Sequence, residues 1–170
     1  MKYIPILSIL LLAGCSTGNN GLAGLKRELL GKNFDSLPVY RGYVARDTIL
    51  EGDEGIQWKA KAYYSDSTLV FLAEASWEDA RKVHRITILG PQIKDGRLFV
   101  DQRFRDIREL VLDKIPSSPD GYLFLTYKKD TAISIQLDIA DEASGSPLFD
   151  GVSELGKIPD TLRVASIVIL

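Results

Sequence analysis

The chain has 170 residues with 21 Lys plus Arg against 23 Asp plus Glu, which gives a formal net charge of −2 at pH 7. This near-balance leaves no electrostatic footprint for nucleic acid, so we expect no partner of that class. Cys15 is the only cysteine, which excludes a disulfide framework and a cysteine-rich metal site.

The first fifteen residues have the layout of a lipoprotein signal peptide. Lys2 gives a positive start, and residues 3–12 form an uncharged apolar run. The run is too short for a membrane-spanning helix, which takes about 20 residues. It ends in Leu12-Ala13-Gly14-Cys15, four residues that match a lipobox, so we expect residues 1–14 to be removed and Cys15 to be acylated. The alternative is an ordinary secretory signal with a chance cysteine.

The residues after Cys15 indicate which membrane holds the chain and where the folded domain begins. Neither Ser16 nor Thr17 is the Asp that resembles an inner-membrane retention signal in enterobacteria, which favours the outer membrane. We expect the domain on the periplasmic side of that membrane, with exposure on the cell surface as the alternative. Residues 15–21 are small and polar and predict a flexible tether. The remaining residues 22–170 have the size of a single domain.

The first half of this domain predicts a helix followed by a meander. Leucines at helical spacing predict a short amphipathic helix over residues 22–30, closed by Gly31. Ile56, Trp58, Ala60, Ala62 and Tyr64 alternate with polar residues and Tyr63, a pattern typical of a strand with one buried face. Turn-rich segments separate this strand from further candidates, at residues 47–52, 68–76 and 83–89. Residues 77–82 form either a helical turn or a longer hairpin connection.

The second half predicts one more helix and four more strands. Asp95-Gly96 is a turn before a short strand at residues 98–100, and Asp101 caps a helix that ends at Pro116. The buried face of that helix consists of Phe104, Ile107, Leu110 and Val111. A hairpin and a central terminal strand follow, at residues 121–128, 131–139 and 162–170. The predicted fold is therefore α+β, with a mostly antiparallel sheet and one or two helices packed on one face.

Four segments together resemble the sigma-E-regulated envelope lipoprotein family of enterobacteria. They are His84-Arg85-Ile86-Thr87-Ile88 with Pro91 and Ile93, then Phe104-Arg105-Asp106-Ile107, Ile133-Ser134-Ile135-Gln136-Leu137 and Ala165-Ser166-Ile167-Val168-Ile169. The resemblance covers roughly residues 38–170. It implies a location in the cell envelope more than an activity.

Residue types that carry catalysis are sparse. His84 is the only histidine, and its strand predicts a position on one face with Ile86 and Ile88. A structural or exposed role is favoured, with partner contact and catalysis as alternatives, because no nucleophile motif accompanies it. Phosphate-binding glycine motifs are also missing from the sequence.

Two acidic clusters and three aromatic residues remain. The clusters are Glu51, Asp53 and Glu54, and Asp138, Asp141 and Glu142; they indicate solvated turns, with a weak cation site as the alternative. We therefore expect no cofactor and no metal. Tyr63, Tyr64 and Trp77 form either a recognition patch or part of the sheet packing. Trp77 and His84 are the candidate partner surface.

These observations favour a non-enzymatic lipoprotein that is held in a membrane through Cys15 and binds an envelope protein or a cell-wall component. One alternative is an inhibitor of a lysozyme-like hydrolase, for which residues 143–151 are the candidate loop. The other is a hydrolase of peptidoglycan or lipid that uses His84 with carboxylates such as Asp138 and Asp141.

Overall fold

A computed structural model of the chain describes residues 21–40, 42–76, 78–112, 122–139 and 154–170. The predicted signal peptide and Cys15, the predicted acylation site, lie outside these residues. The helices are α1 (Leu22–Leu29) and α2 (Phe104–Ile107), and the strands are β1 (Val44–Glu51), β2 (Gln57–Ser65), β3 (Thr68–Ala75), β4 (Val83–Ile88), β5 (Tyr122–Thr126), β6 (Ile133–Asp138) and β7 (Val164–Ile169). None of the helices in this described part is long and apolar enough to span a bilayer.

The seven strands form one antiparallel sheet in the order β1-β2-β3-β4-β7-β6-β5. The first four strands are the predicted meander, β5 and β6 are the predicted hairpin, and β7 occupies the predicted interior position. Residues on both faces of β7 are buried. This explains why the sequence of β7 is an almost continuous apolar run. The α+β fold class is confirmed.

Helix α1 covers one face of the sheet. Its leucines Leu22, Leu25 and Leu29 are buried in the same core as residues of β3 and β4. Just beyond the helix, Gly31 has φ +73°, a left-handed value that favours glycine, and its N–H donates to the carbonyl of Val83 at 2.8 Å. The predicted helix and its closing glycine are confirmed.

The core lies on the face that α1 covers, and it includes a residue that the pattern of β2 assigned to the polar side. Tyr63 is fully buried and stacks on Phe71 with ring centroids 4.2 Å apart. Its hydroxyl donates to the carbonyl of Pro38 at 3.2 Å. On the opposite face, Ala60 and Ala62 are buried as well. The prediction that only one face of β2 is buried is therefore wrong, because the middle of this strand is covered on both faces.

The predicted helix after Asp101 is much shorter than its apolar spacing indicates. Asp101 has φ +71° and does not cap it; the N-cap is Arg103, without a side-chain hydrogen bond. After Ile107 the chain forms one 3₁₀ turn and then pairs with the end of β5, since the N–H of Leu112 donates to the carbonyl of Thr126 at 2.8 Å. Pairing with the sheet thus overrides helix propensity. Pro116 lies outside the described residues.

The short strand predicted at residues 98–100 does not form. Asp95 and Leu98 make one isolated bridge around Gly96, whose φ of +60° agrees with the predicted turn. Leu98 and Val100 are nevertheless buried, so this segment contributes to the core as a loop.

Candidate functional site

The structure places His84 on the surface and not beside Ile86 and Ile88. Glu74 pairs with Arg85 and the next residue, Ala75, pairs with Val83, so His84 is the extra residue of a β-bulge. A bulge redirects the side chains next to it. His84 is therefore exposed, whereas the two isoleucines are buried in the core. The prediction that the three share a face is wrong.

A buried carboxylate lies next to this bulge, on the sheet face opposite the core. The side chain of Glu74 is 2% exposed. Its Oε2 accepts hydrogen bonds from Trp58 Nε1 at 3.0 Å and from the Arg85 guanidinium, and its Oε1 accepts one from the Thr87 hydroxyl at 2.5 Å. Burying a charge without such partners costs free energy, and these three donors offset that cost for the Glu74 carboxylate.

The Trp58 indole is fixed by its surroundings. A Cβ atom on Gly52 would lie 2.9 Å from Trp58 Cζ3, so the ring packs where only glycine leaves room. The guanidinium of Arg85 lies 5.7 Å from the ring centroid, within the range of a cation–π contact. With the hydrogen bond to Glu74, these contacts determine the orientation of the ring.

An open cleft of about 660 Å³ lies over this cluster. Trp58, Glu74 and Arg85 line it together with His84 and Glu78, and Ile56 and Leu170, which are about half exposed, are among its apolar lining residues. The volume lies within the range of small-molecule sites, roughly 300–1,000 Å³. The cleft combines apolar walls with a small set of polar groups, as binding sites do.

Ser76 also lines the cleft, and its hydroxyl oxygen accepts a hydrogen bond from the N–H of Glu78 at 3.1 Å. In the described part of the chain, no hydrogen bond or ion pair joins His84 to a carboxylate or to Ser76. Serine, histidine and carboxylate thus share one cleft without forming a linked array.

The other candidate residues fall into three groups. Tyr63 belongs to the core, and Tyr64 is half-buried beside Arg46, whose guanidinium lies 5.1 Å from its ring centroid. Trp77, the acids Asp141 and Glu142 and the candidate inhibitory loop at residues 143–151 lie outside the described residues. Glu51 accepts a hydrogen bond from Gln57 at 3.0 Å, and over the described ranges no three acidic, histidine or cysteine side chains gather in a way that could hold a metal.

Sequence reasoning missed Glu74, Trp58 and Arg85 as a cluster. One signal for it was present, because Glu74 is a single acid within the otherwise apolar end of β3. A charge in a buried strand needs partners on the same face of the neighbouring strands. The register of β3 against β4 places Arg85 opposite Glu74, and the sequence pattern does not reveal that register.

These features define an α+β protein built on one antiparallel sheet, with a cleft on the sheet face opposite the core. The fold is similar to the crystal structure of the uncharacterized protein yfeY from Escherichia coli, with a TM-score of 0.56 and 13% sequence identity. The match covers 84% of this chain and 95% of that chain. At this identity the likeness shows the fold alone. No family model and no curated protein sequence matches the chain.

Proposed function

We propose that this chain is a lipid-anchored protein of the cell envelope with a non-catalytic binding or structural role. Acyl chains on Cys15 hold it in the outer membrane, and its domain lies on the periplasmic side. The lipobox, the preceding apolar run and the resemblance to the sigma-E-regulated lipoprotein family support this location.

Fractionation of the host envelope tests the anchor. The wild-type chain is expected with the outer membrane, whereas Cys15→Ala leaves that fraction because the chain then carries no acyl group. Recovery of the wild-type chain in the cytosol would contradict the proposal.

The cleft supports the binding role. Its polar floor is already assembled, because Glu74 fixes both Trp58 and Arg85. A preorganised site loses little side-chain entropy when a ligand binds. This arrangement is the single observation that carries the binding proposal, and the ligand is a cell-wall component or an envelope protein.

Photo-crosslinking in cells tests the binding role. Ile56, at the cleft, is replaced by benzoylphenylalanine, and Val39, which is 83% exposed and does not line the cleft, receives the same replacement as the matched control. We expect a specific adduct from position 56 that is lost when Trp58→Ala is added. Equal adducts from both positions, or none from position 56, would argue against a binding cleft.

A hydrolase of peptidoglycan or lipid is the second candidate, and one observation favours it. Ser76, His84 and Glu78 all line the cleft. Catalytic hydrogen bonds are often long or absent before substrate binds. If the chain is a hydrolase, isolated sacculi or phospholipid vesicles release fragments or fatty acids on incubation with it, and His84→Ala stops this release. The binding role predicts no release by either protein.

A further inference from the structure

The ionisable side chains of the cleft set the charge of its ligand. Two carboxylates, Glu74 and Glu78, face one guanidinium, Arg85, and one imidazole, His84. The cleft is therefore negative or neutral in either protonation state of His84, and it does not attract an anion. Both oxygens of Glu74 already accept hydrogen bonds, so no free buried carboxylate remains to bind a cation. A neutral ligand suits the cleft best.

The polar floor offers donors to such a ligand. Arg85 carries five N–H groups, and one guanidinium nitrogen is committed to Glu74. The Arg85 side chain is 40% exposed, so N–H groups that Glu74 does not use remain accessible from the cleft. The floor therefore favours a ligand that brings oxygen acceptors. At the mouth, Glu78 supplies an acceptor for a ligand hydroxyl.

The remaining surface is apolar. The Trp58 indole forms one wall, and Ile56 and Leu170 are 48% and 53% exposed beside it. Large apolar side chains left exposed around polar groups mark a binding surface. The ligand must therefore combine oxygen acceptors and hydroxyl donors with an apolar face, and it must carry no net charge.

We infer that the cleft binds an uncharged saccharide, whose C–H face packs on Trp58 while its oxygens accept hydrogen bonds from Arg85. This assignment rests on the binding role proposed above and gives it a ligand class. A sugar ring has both required surfaces. An uncharged peptide segment has the same hydrogen-bonding groups and is the competitor that the experiment must separate.

Fluorescence titration tests the saccharide assignment. The mature lipidated chain is purified in a detergent without a sugar head group, and Trp77→Phe leaves Trp58 as the reporter, since the chain has two tryptophans. Three probes are titrated: the uncharged tetramer of N-acetylglucosamine, a tetrapeptide with both termini blocked, and inorganic phosphate. Only the tetrasaccharide is expected to change the fluorescence saturably.

Arg85→Lys keeps the positive charge beside Glu74 but removes the guanidinium fork. We expect it to weaken saccharide binding by about tenfold, the effect of one lost hydrogen bond to a charged group. Arg97→Lys is the control, because Arg97 is exposed, pairs with Glu109 and does not line the cleft. Equal affinity of Arg85→Lys and Arg97→Lys would overturn the assignment.

The probe comparison does not depend on how well any cleft variant folds. Saturable binding of the peptide or of phosphate, without binding of the tetrasaccharide, would also overturn the assignment. If no probe binds but position 56 still gives its crosslink, the saccharide is wrong and the binding role stands. If the crosslink is absent too, both proposals fail.

Discussion

Alkaline pH should destabilise this protein through Tyr63. Burial, with a smaller contribution from the negative charge of Asp47, raises the pKa of Tyr63 from 10.0 to about 12. The unfolded chain then loses the tyrosine proton two pH units before the folded chain does. Each unit of difference corresponds to about 1.36 kcal/mol, so the free energy of unfolding falls by about 1.4 kcal/mol by pH 11 and by about 2.7 kcal/mol in full.

Tyr63→Phe isolates this effect. The variant lacks the hydroxyl that donates to the carbonyl of Pro38, so at pH 8 it is less stable than the wild type by about 1 kcal/mol. It also lacks the titrating group. The wild type should therefore lose its advantage as the pH rises from 8 to 11, because its stability is complete below pH 10 and falls as the pH approaches 12.

Equilibrium unfolding in urea, followed by circular dichroism at pH 6, 8, 10 and 11, measures the difference between the two proteins. The other tyrosines titrate in both proteins and cancel in this comparison, except for the small contribution that Tyr63 makes to the raised pKa of Tyr40. The advantage of the wild type should stay constant from pH 6 to 8 and fall by about 1.4 kcal/mol by pH 11, so that Tyr63→Phe becomes the more stable protein by about 0.4 kcal/mol. A difference that is the same at pH 8 and pH 11 would show that Tyr63 does not cause the alkaline loss of stability.

Two further predictions concern stability and are checked by denaturant unfolding. Gly90→Ala places a Cβ 3.1 Å from Val70 Cα, and we expect it to lower the free energy of unfolding by about 1–2 kcal/mol. The control is Gly156→Ala, whose Cβ has nothing within 4 Å. It should change the free energy of unfolding by no more than about 1 kcal/mol. Equal losses would show that the close approach at Gly90 is unimportant. Glu74→Ala leaves its buried donors unpaired and should cost about 2–3 kcal/mol, against at most about 0.5 kcal/mol for the surface-paired Glu109→Ala. A similar loss in both variants would contradict the role of the buried carboxylate.

The strands and α1 follow from the sequence because their residues repeat at the period of the element they form. The terminal strand is an example, since its continuous apolar run indicates an interior position, and β7 lies between β4 and β6. The apolar spacing of Phe104 and Ile107 also identifies buried residues correctly. The length of their helix does not follow, because it depends on pairing between Leu112 and Thr126, which are 14 residues apart in the chain.

The cleft depends on features that no single segment encodes. The register of β3 against β4 brings Arg85 to the Glu74 carboxylate, and the bulge just beyond this pair turns His84 outward. Gly52 reaches the Trp58 ring only after β1 and β2 have paired. Both are properties of strand register. The sequence therefore predicts the sheet, but the residues of the cleft appear only once neighbouring strands are aligned.

Intact-mass measurement of the native chain, extracted from envelopes, tests the membrane anchor most directly. We expect a chain that begins at Cys15 and carries the added mass of the acyl groups that anchor it. A mature chain with an unmodified Cys15, or one that retains residues 1–14, would show that the protein is not lipid-anchored.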